Sequence, residues 1–558
     1  MHEDDATSDL PVTSPPSPTG STPRPAPSIS RRDIAWLGLV CLVALLVRLP
    51  FLTMPMIADE GGYAYATRGW LNGTGQLYDD LWISRPQGIF YLYAVIFETL
   101  GTDVVALRLA AWISACGTAI AVWTIARRWQ PQPVPAIASL LFVVVTGSPS
   151  LEGYTANAEM FMMLPSAWCI WTLIKAAETE WSAHWLFPTG VLIGIATMLK
   201  PSGIVMLPVG LIATFAFTRS EGRDWRIPAA WILAGVAMIG IPALIHGWLL
   251  GWSDFIYATV TYRLTMQSSA TVGVSHHLAA IGRLILRILP MLILIICVTL
   301  IAHRRDILRV LSMAMRAIPV HPVREAARKI QYMIRHMGEP PAERHLAVPG
   351  DRIGMLLRLW VLASIFGIAM GGDWWAHYAI QIAAPFSIWF AEIVRAAAAS
   401  VRRWLSRVIA AATVVVVLVP YWVIVLGSTE AMSNRLFSHP GYQAQDEIAA
   451  WLRENSEPGT PIFVAFDQAA IYYLADRPPA YRHLYDQELR ALPGSYSDII
   501  SIIRSPERPL YIVSTRQPGP YPDASRTFWQ EVGQYYELET MIDGIPIYRA
   551  REYNPPAL

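Results

Sequence analysis

Charge is scarce in this sequence. Of 558 residues only 15% are Asp, Glu, Lys or Arg, 54% are hydrophobic, and the mean hydropathy is +0.36. Soluble domains carry roughly 25% charged residues, so an ordinary water-soluble globule is excluded. Cysteine is scarcer still. Cys41, Cys116, Cys169 and Cys297 all fall inside apolar runs and no pair has metal-ligand spacing, so neither a disulfide framework nor a cysteine metal site is expected. Residues 1–30, rich in Pro, Ser and Thr, lack the apolar core of a cleaved signal peptide and are expected to form a disordered tail. No repeat of solenoid period is present, and no inverted pair of Gly/Pro-broken apolar runs of the kind transporters carry. A net charge of +1 gives no reason to expect a nucleic-acid partner.

Long apolar runs are abundant. Eleven candidate spans lie near residues 34–52, 104–126, 134–146, 160–175, 184–199, 203–217, 227–250, 278–301, 355–370, 379–394 and 404–426. Their lengths suit a hydrocarbon core of about 30 Å, and backbone groups without water partners must be satisfied within helices. The expected fold class is therefore an α-helical polytopic membrane protein. The run "IFYLYAVIFETL" at 89–100 is too short to span and reads as an interfacial helix. Alternate loops hold Arg31 and Arg32, Arg127 and Arg128, Arg219, Arg223 and Arg226, and Arg395, Arg402 and Arg403. The loop 302–353 adds eight more cations, from Arg304 to Arg335. The positive-inside rule makes these loops cytoplasmic, so the N-terminus lies inside and the C-terminus outside a plasma membrane.

Beyond residue 427 the pattern changes. "HPGYQAQDEIAAWLREN" has helical spacing, and "PIFVAF", "LYIVS" and "IPIYRA" read as short strands. Residues 31–427 are expected to form the transmembrane domain, with a first outer loop at 53–102, and 428–558 a small extracytoplasmic α/β domain. The latter has neither a phosphate-binding Gly loop nor a nucleophile elbow.

The orientation gathers polar residues on the outer side. They are Asp59, Glu60, Tyr63, Arg68 and Arg85 in the first loop, Glu152 and Glu159 in the second, and Lys200 at "LKPSG". Asp254, Tyr262, Arg263, His276 and His277 follow in the fourth loop, then Asp373, His377 and Tyr378 in "GGDWWAHY". Arg48 and Arg108, near the outer ends of the first two spans, can snorkel or pair with an acid. Acids, isolated cations and tyrosines at a membrane boundary fit transfer of a sugar from a lipid-linked phosphate. A carboxylate accepts the acceptor hydroxyl's proton, and cations stabilise the departing phosphate.

These residues resemble the GT-C superfamily of integral-membrane glycosyltransferases, in particular the protein O-mannosyltransferases and the lipid A aminoarabinose transferases. The resemblance is carried by five pieces in order: "ADEGGYAYATRGWL", "SRPQGIFYLYAVIFETLG", "NAEMFMMLP", "LKPSG" and "HYAIQIAAPF". It implies Asp59 as general base with Glu60 as a supporting acid. It also implies that Arg85, Lys200 and His377 hold the donor phosphate, and that Glu159, Tyr63 and Tyr378 orient the acceptor or a metal. Arg85 stands where the lipid A branch has Lys, and Gln87 where a second Pro is usual, so that branch's substrate is not inherited. The expected donor is a polyprenyl-phosphate sugar and the acceptor a glycan, lipid or protein hydroxyl, with membrane lipids as surroundings. Whether a divalent metal joins the site is left open, with Asp59 and Glu159 as its candidates. The alternatives are a transporter or flippase of lipid-linked sugars, favoured by Arg283, Arg287 and His246 within spans, and a non-catalytic scaffold that binds them.

Overall fold

The computed structural model describes residues 29–268, 274–304, 307–308, 350–371, 374–401, 403–437, 440–515 and 523–554. The tail at 1–28, most of the expected cytoplasmic loop and Asp373 lie outside the described residues, as do the side chains of His276 and His277.

All eleven apolar segments hold helices. They are α1 (Arg31–Leu46), α4 (Val104–Trp129), α5 (Val134–Gly147), α6 (Ala158–Glu178), α7 (Ala183–Leu199), α8 (Met206–Ser220), α9 (Arg226–Leu249), α10 (Val274–Ala302), α11 (Gly350–Ala369), α12 (Ile380–Ser400) and α13 (Arg403–Val425). Among the described residues seven are long and apolar enough to cross a membrane, or eight if the bent pair Leu278–Leu289 and Leu292–Ala302 is one span. Val134–Gly147 and Ala183–Leu199 are apolar but shorter. The brief sixth segment reaches spanning length because a 3₁₀ turn, Pro201–Val205, continues into α8.

Local sequence explains the ends. Ser30 and Asp33 form a capping box on α1, and Asp103 caps α4 through the Ala106 amide. Helix α7 packs tightly on α9. A Cβ at Gly190 would lie 1.9 Å from the Ile232 carbonyl oxygen, so only glycine permits this approach. The opposite flank of α9 exposes Trp231, Leu233, Met238, Ile241, Leu244, Ile245 and Trp248. An apolar face of this extent suits lipid and not water. The chain is a multi-pass membrane protein.

Two helices fill the loop at 53–102, expected on the outer side: α2 (Ala58–Leu71) and α3 (Gln87–Thr99). Past α13 the chain builds the small α/β unit. It contains α14 (Gln445–Asn455), β1 (Ile462–Ala465), α15 (Ala470–Ala475), α16 (Ser495–Arg504), β2 (Tyr511–Ser514), α17 (Asp523–Tyr535), β3 (Tyr536–Ile542) and β4 (Ile545–Ala550). The strand order is β1-β2-β4-β3, with β1 parallel to β2 and the other pairs antiparallel. β1 and β2 are buried throughout, which is why both read as unbroken apolar runs. The sequence reading did not find β3. "YELETMI" is an exposed edge strand whose acidic residues hide its period.

Basic and acidic residues meet at one end of the bundle. Arg127 pairs with Asp33 at 3.5 Å, Arg128 with Glu178 at 2.7 Å, and Arg352 with Glu221. The other end of α4 carries Arg108, which meets Glu60 of α2.

Candidate active site

A cavity of about 550 Å³ opens where α2, the loop after α5, the segments around Tyr262 and His377, and the α/β unit converge. Of the eight residues expected at the site, Asp59, Tyr63, Arg85, His377 and Tyr378 line it, while Glu60, Glu159 and Lys200 stand behind the wall.

Asp59 and Glu60 open α2 side by side, but successive helical residues point about 100° apart. Asp59 faces the cavity and lies 3.5 Å from Arg85 Nη2. Arg85 is fixed from three sides. Its Nε donates to Tyr63 Oη (2.7 Å), its Nη1 to the Ser84 carbonyl (3.0 Å), and its own carbonyl accepts from Tyr78 Oη (3.0 Å). Burial pushes the Tyr63 phenol well above its ordinary range, so it remains a neutral hydroxyl.

Glu60 turns the other way into a fully enclosed pocket. It accepts from Arg108 Nε (3.1 Å) and Nη2 (2.8 Å), from the Ala156 amide (2.7 Å) and from the Ile57 amide (3.1 Å). Arg108 also donates to the carbonyls of Phe51, Met54 and Pro55. Of the alternatives for the two arginines, Arg108 pairs with an acid. Arg48 follows neither course: it is buried and donates to the carbonyls of Ala44, Val143 and Gly153 and to Thr146 Oγ1.

Lys200 and Glu159 neutralise each other in a buried ion pair, and the Lys200 ammonium lies 3.8 Å from the centre of the Tyr378 ring. His377 links this pair to the cavity. Its Nδ1 is 2.9 Å from Glu152 Oε2 and its Nε2 is 3.8 Å from Glu159 Oε1. Arg287 Nη1 holds the other Glu152 oxygen at 3.1 Å. Burial pushes the Glu152 carboxyl up, but the His377 hydrogen bond and the nearby positive charge outweigh it and hold it below its usual range. Arg287, a feature favouring a transporter, thus faces the cavity from its rim. His246 packs against Trp70 and Tyr91, with ring centres 6.3 and 5.7 Å away.

The structure adds residues the site reading did not choose. Arg263 donates from Nε to Ser84 Oγ (2.9 Å) and from Nη2 to the Ser84 carbonyl (3.2 Å), the same carbonyl that Arg85 holds. Two guanidinium groups are thereby set side by side at the cavity edge. The only sequence signal was that Arg263 belongs to an expected outer loop.

The α/β unit adds Asp467, Tyr485, Asp486, Gln487 and Glu488 to the lining of the cavity. It docks directly on α2, and two glycines make room. A Cβ at Gly61 would lie 2.3 Å from Ala470 Cα, and one at Gly62 would lie 1.8 Å from Tyr485 Oη. Arg68 fastens the contact through Asp476 (3.0 Å) and the Tyr473 carbonyl (2.7 Å).

The two acids named as metal candidates each lie against a cation. Asp59 stands beside Arg85 and Glu159 is paired with Lys200, and among the described residues no group of three or more His, Cys, Asp or Glu is placed to hold a metal ion. No catalytic step is assigned to a metal.

The family model described as dolichyl-phosphate-mannose-protein mannosyltransferase matches residues 84–246. No curated protein matches the chain. Among solved structures, ArnT from Cupriavidus metallidurans bound to undecaprenyl phosphate is 14% identical. The match covers 93% of this chain and 99% of that one, with a TM-score of 0.55. Archaeal oligosaccharyltransferase AglB from Archaeoglobus fulgidus, in complex with an inhibitory peptide and a dolichol-phosphate, is also 14% identical. That match covers 87% of this chain and 70% of that one, with a TM-score of 0.48. The resemblance carried by the five motifs holds, and the chain has the fold of the GT-C membrane glycosyltransferases.

Proposed function

We propose that this protein is a glycosyltransferase that moves a sugar from a polyprenyl-phosphate donor to an acceptor hydroxyl. The observation that carries the reading is a single cavity in which a carboxylate, Asp59, stands beside paired guanidinium groups, Arg85 and Arg263. The guanidiniums suit a phosphate through charge and planar hydrogen bonding. As the acceptor oxygen bonds to the sugar carbon, its proton passes to Asp59. The bond from that carbon to the phosphate oxygen breaks, and the phosphate leaves with the electron pair. Direct displacement inverts the sugar carbon. Similarity to a protein crystallised with undecaprenyl phosphate supports a lipid-linked donor.

Glu159 and Lys200 act from behind the wall in this reading, holding His377 and Tyr378 in place, and Glu60 supports the start of α2. The basic loops lie in the cytoplasm and the cavity at the outer face of the plasma membrane, where nucleotide sugars are absent. Residues 31–427 then form the catalytic transmembrane domain and 428–558 an extracytoplasmic domain that completes the site. The test is turnover of polyprenyl-phosphate sugars by the purified protein. Loss of turnover in Asp59→Asn is expected, and undiminished turnover would remove Asp59 from the role of base.

A further inference from the structure

The loop between α5 and α6 is built to hold one side chain. Glu152 has a φ of 57°, a left-handed backbone that residues bearing a Cβ seldom adopt. Its carbonyl accepts from the Thr155 amide (3.1 Å) and from Thr155 Oγ1 (2.7 Å). At Gly153, next in the chain, a Cβ would lie 2.2 Å from the Thr146 carbonyl oxygen. The Gly153 carbonyl accepts from Arg48 Nε (3.1 Å), while Arg48 Nη2 donates to Thr146 Oγ1 (3.0 Å). A buried guanidinium thus ties the loop to the end of α5 through neutral acceptors. Backbone strain persists only where its surroundings over-determine it, and it gathers at functional positions.

What the loop presents is a carboxylate bonded on both oxygens. Glu152 Oε1 meets Arg287 Nη1 at 3.1 Å, and Oε2 meets His377 Nδ1 at 2.9 Å. On the far side of the ring, His377 Nε2 lies 3.8 Å from Glu159 Oε1, and Glu159 is paired with Lys200. An ionised carboxylate only accepts, so Nδ1 carries a proton. Nε2 faces a carboxylate as well, where a proton attracts and a lone pair repels. The surroundings therefore favour an imidazolium.

Charge along this row gives the proton a use. Arg287, Glu152, His377, Glu159 and Lys200 alternate in sign. With His377 neutral, two cations balance two anions and the row offers a phosphate nothing. With both ring nitrogens protonated the row has a net positive charge, and it lies on a residue that lines the cavity. Asp59 and Arg85, which line the same cavity, offset each other at 3.5 Å. Tyr378, next in the same turn, stands edge-on to the His377 ring with centres 5.0 Å apart.

We infer that Glu152 is a positioning residue of the phosphate site: it keeps His377 doubly protonated, so that the imidazolium supplies positive charge to the phosphate of a lipid-linked donor. The inference rests on the transferase reading for the donor and adds Glu152 and a defined protonation state to that site.

The test measures equilibrium binding of labelled undecaprenyl phosphate to the full-length purified protein in detergent at pH 6.0 and pH 8.5. Cleavage of labelled polyprenyl-phosphate mannose and arabinose is followed in parallel. Dividing each variant's Kd by that of the unaltered protein at the same pH removes the ionisation of the phosphate itself. In Glu152→Gln the amide oxygen still accepts from Nδ1 but brings no charge. The ring should then lose its second proton between these two pH values, across the range where histidine ordinarily titrates, about 6.5. The Kd ratio is expected to stay below about threefold at pH 6.0 and to exceed about tenfold at pH 8.5. His377→Gln should weaken binding about tenfold at pH 8.5, and combining it with Glu152→Gln should add nothing, as for two residues acting through one charge. A Glu152→Gln ratio equal at both pH values, or losses that multiply in the double variant, would overturn the inference. So would an unchanged Kd in His377→Gln, whether or not Glu152→Gln folds. Any of these results with a donor cleaved leaves the transferase reading standing. The expected ratios with neither donor cleaved, with or without an acceptor, sink the transferase reading alone, and no binding of undecaprenyl phosphate by the unaltered protein sinks both.

Discussion

Adjacent carboxylates with opposite surroundings should respond oppositely to the same chemical change. In Glu60→Gln the side chain keeps its shape but loses its charge, and its amide group turns donors toward Arg108, Ile57 and Ala156, all of which are donors themselves. Both Glu60 and Arg108 side chains are 0% exposed. Removing one partner of such a buried pair costs about 3–5 kcal/mol, because the remaining charge is left uncompensated. With an unfolding entropy of about 2.1 cal/mol/K per residue, a chain of 558 residues then loses about 3–4 °C of thermal midpoint. Asp59→Asn changes a carboxylate whose side chain is 24% exposed and whose arginine partner has Tyr63 and Ser84 to hold it. Its midpoint should move by no more than about 2 °C, while turnover falls by the 10²–10⁴ that a general base typically contributes. Thermal unfolding and donor turnover are measured on both variants in the same detergent. A Glu60→Gln protein with an unchanged midpoint and turnover as low as that of Asp59→Asn would refute the assignment, since Glu60 would then act in the chemistry.

Other consequences follow from the same geometry. Gly62→Ala drives a methyl group into Tyr485 Oη and should cost about 1–3 kcal/mol; limited proteolysis should cut the α/β unit from the membrane part faster than in the unaltered protein. Arg263→Gln removes a charged donor from the Ser84 clamp, and with about 1.5–3 kcal/mol per charged hydrogen bond the KM for the lipid donor should rise by roughly 10- to 100-fold. Burial pushes the Glu488 carboxyl well above its ordinary range, whereas in the unfolded chain it releases its proton near the ordinary glutamate value of 4.5. The folded state therefore binds the additional proton above that pH, and stability falls as pH rises from there toward the folded pKa. Glu488→Gln should flatten the midpoint-versus-pH curve above about pH 4.5, and an unchanged slope would show that burial does not hold the proton.

How much of this was written in the sequence depends on the range of the interaction. The membrane helices were legible because an apolar run satisfies its own backbone wherever it lies. Pairings between distant segments were not legible. Lys200 and Glu159 both read as free site residues, yet each is the other's counter-ion, and nothing in "LKPSG" or "NAEM" records that distance. The cavity residues that the α/β unit supplies lie more than 400 positions from Asp59, at 467 and 485–488.

One trace of that long-range contact was nonetheless present. A glycine inside a helix costs about 1 kcal/mol relative to alanine, and α2 carries two in succession, Gly61 and Gly62, next to the carboxylates. Membrane burial alone does not require them, because α2 is not among the helices long and apolar enough to cross a membrane. What requires them is the approach of Ala470 and Tyr485, which leave no room for a Cβ. The doublet in "ADEGGY" is therefore the imprint of the α/β unit on the helix that carries Asp59. The α/β unit and Asp59 are parts of one site: the contact that denies α2 its side chains at 61 and 62 also brings Tyr485 and Glu488 to the cavity that Asp59 faces.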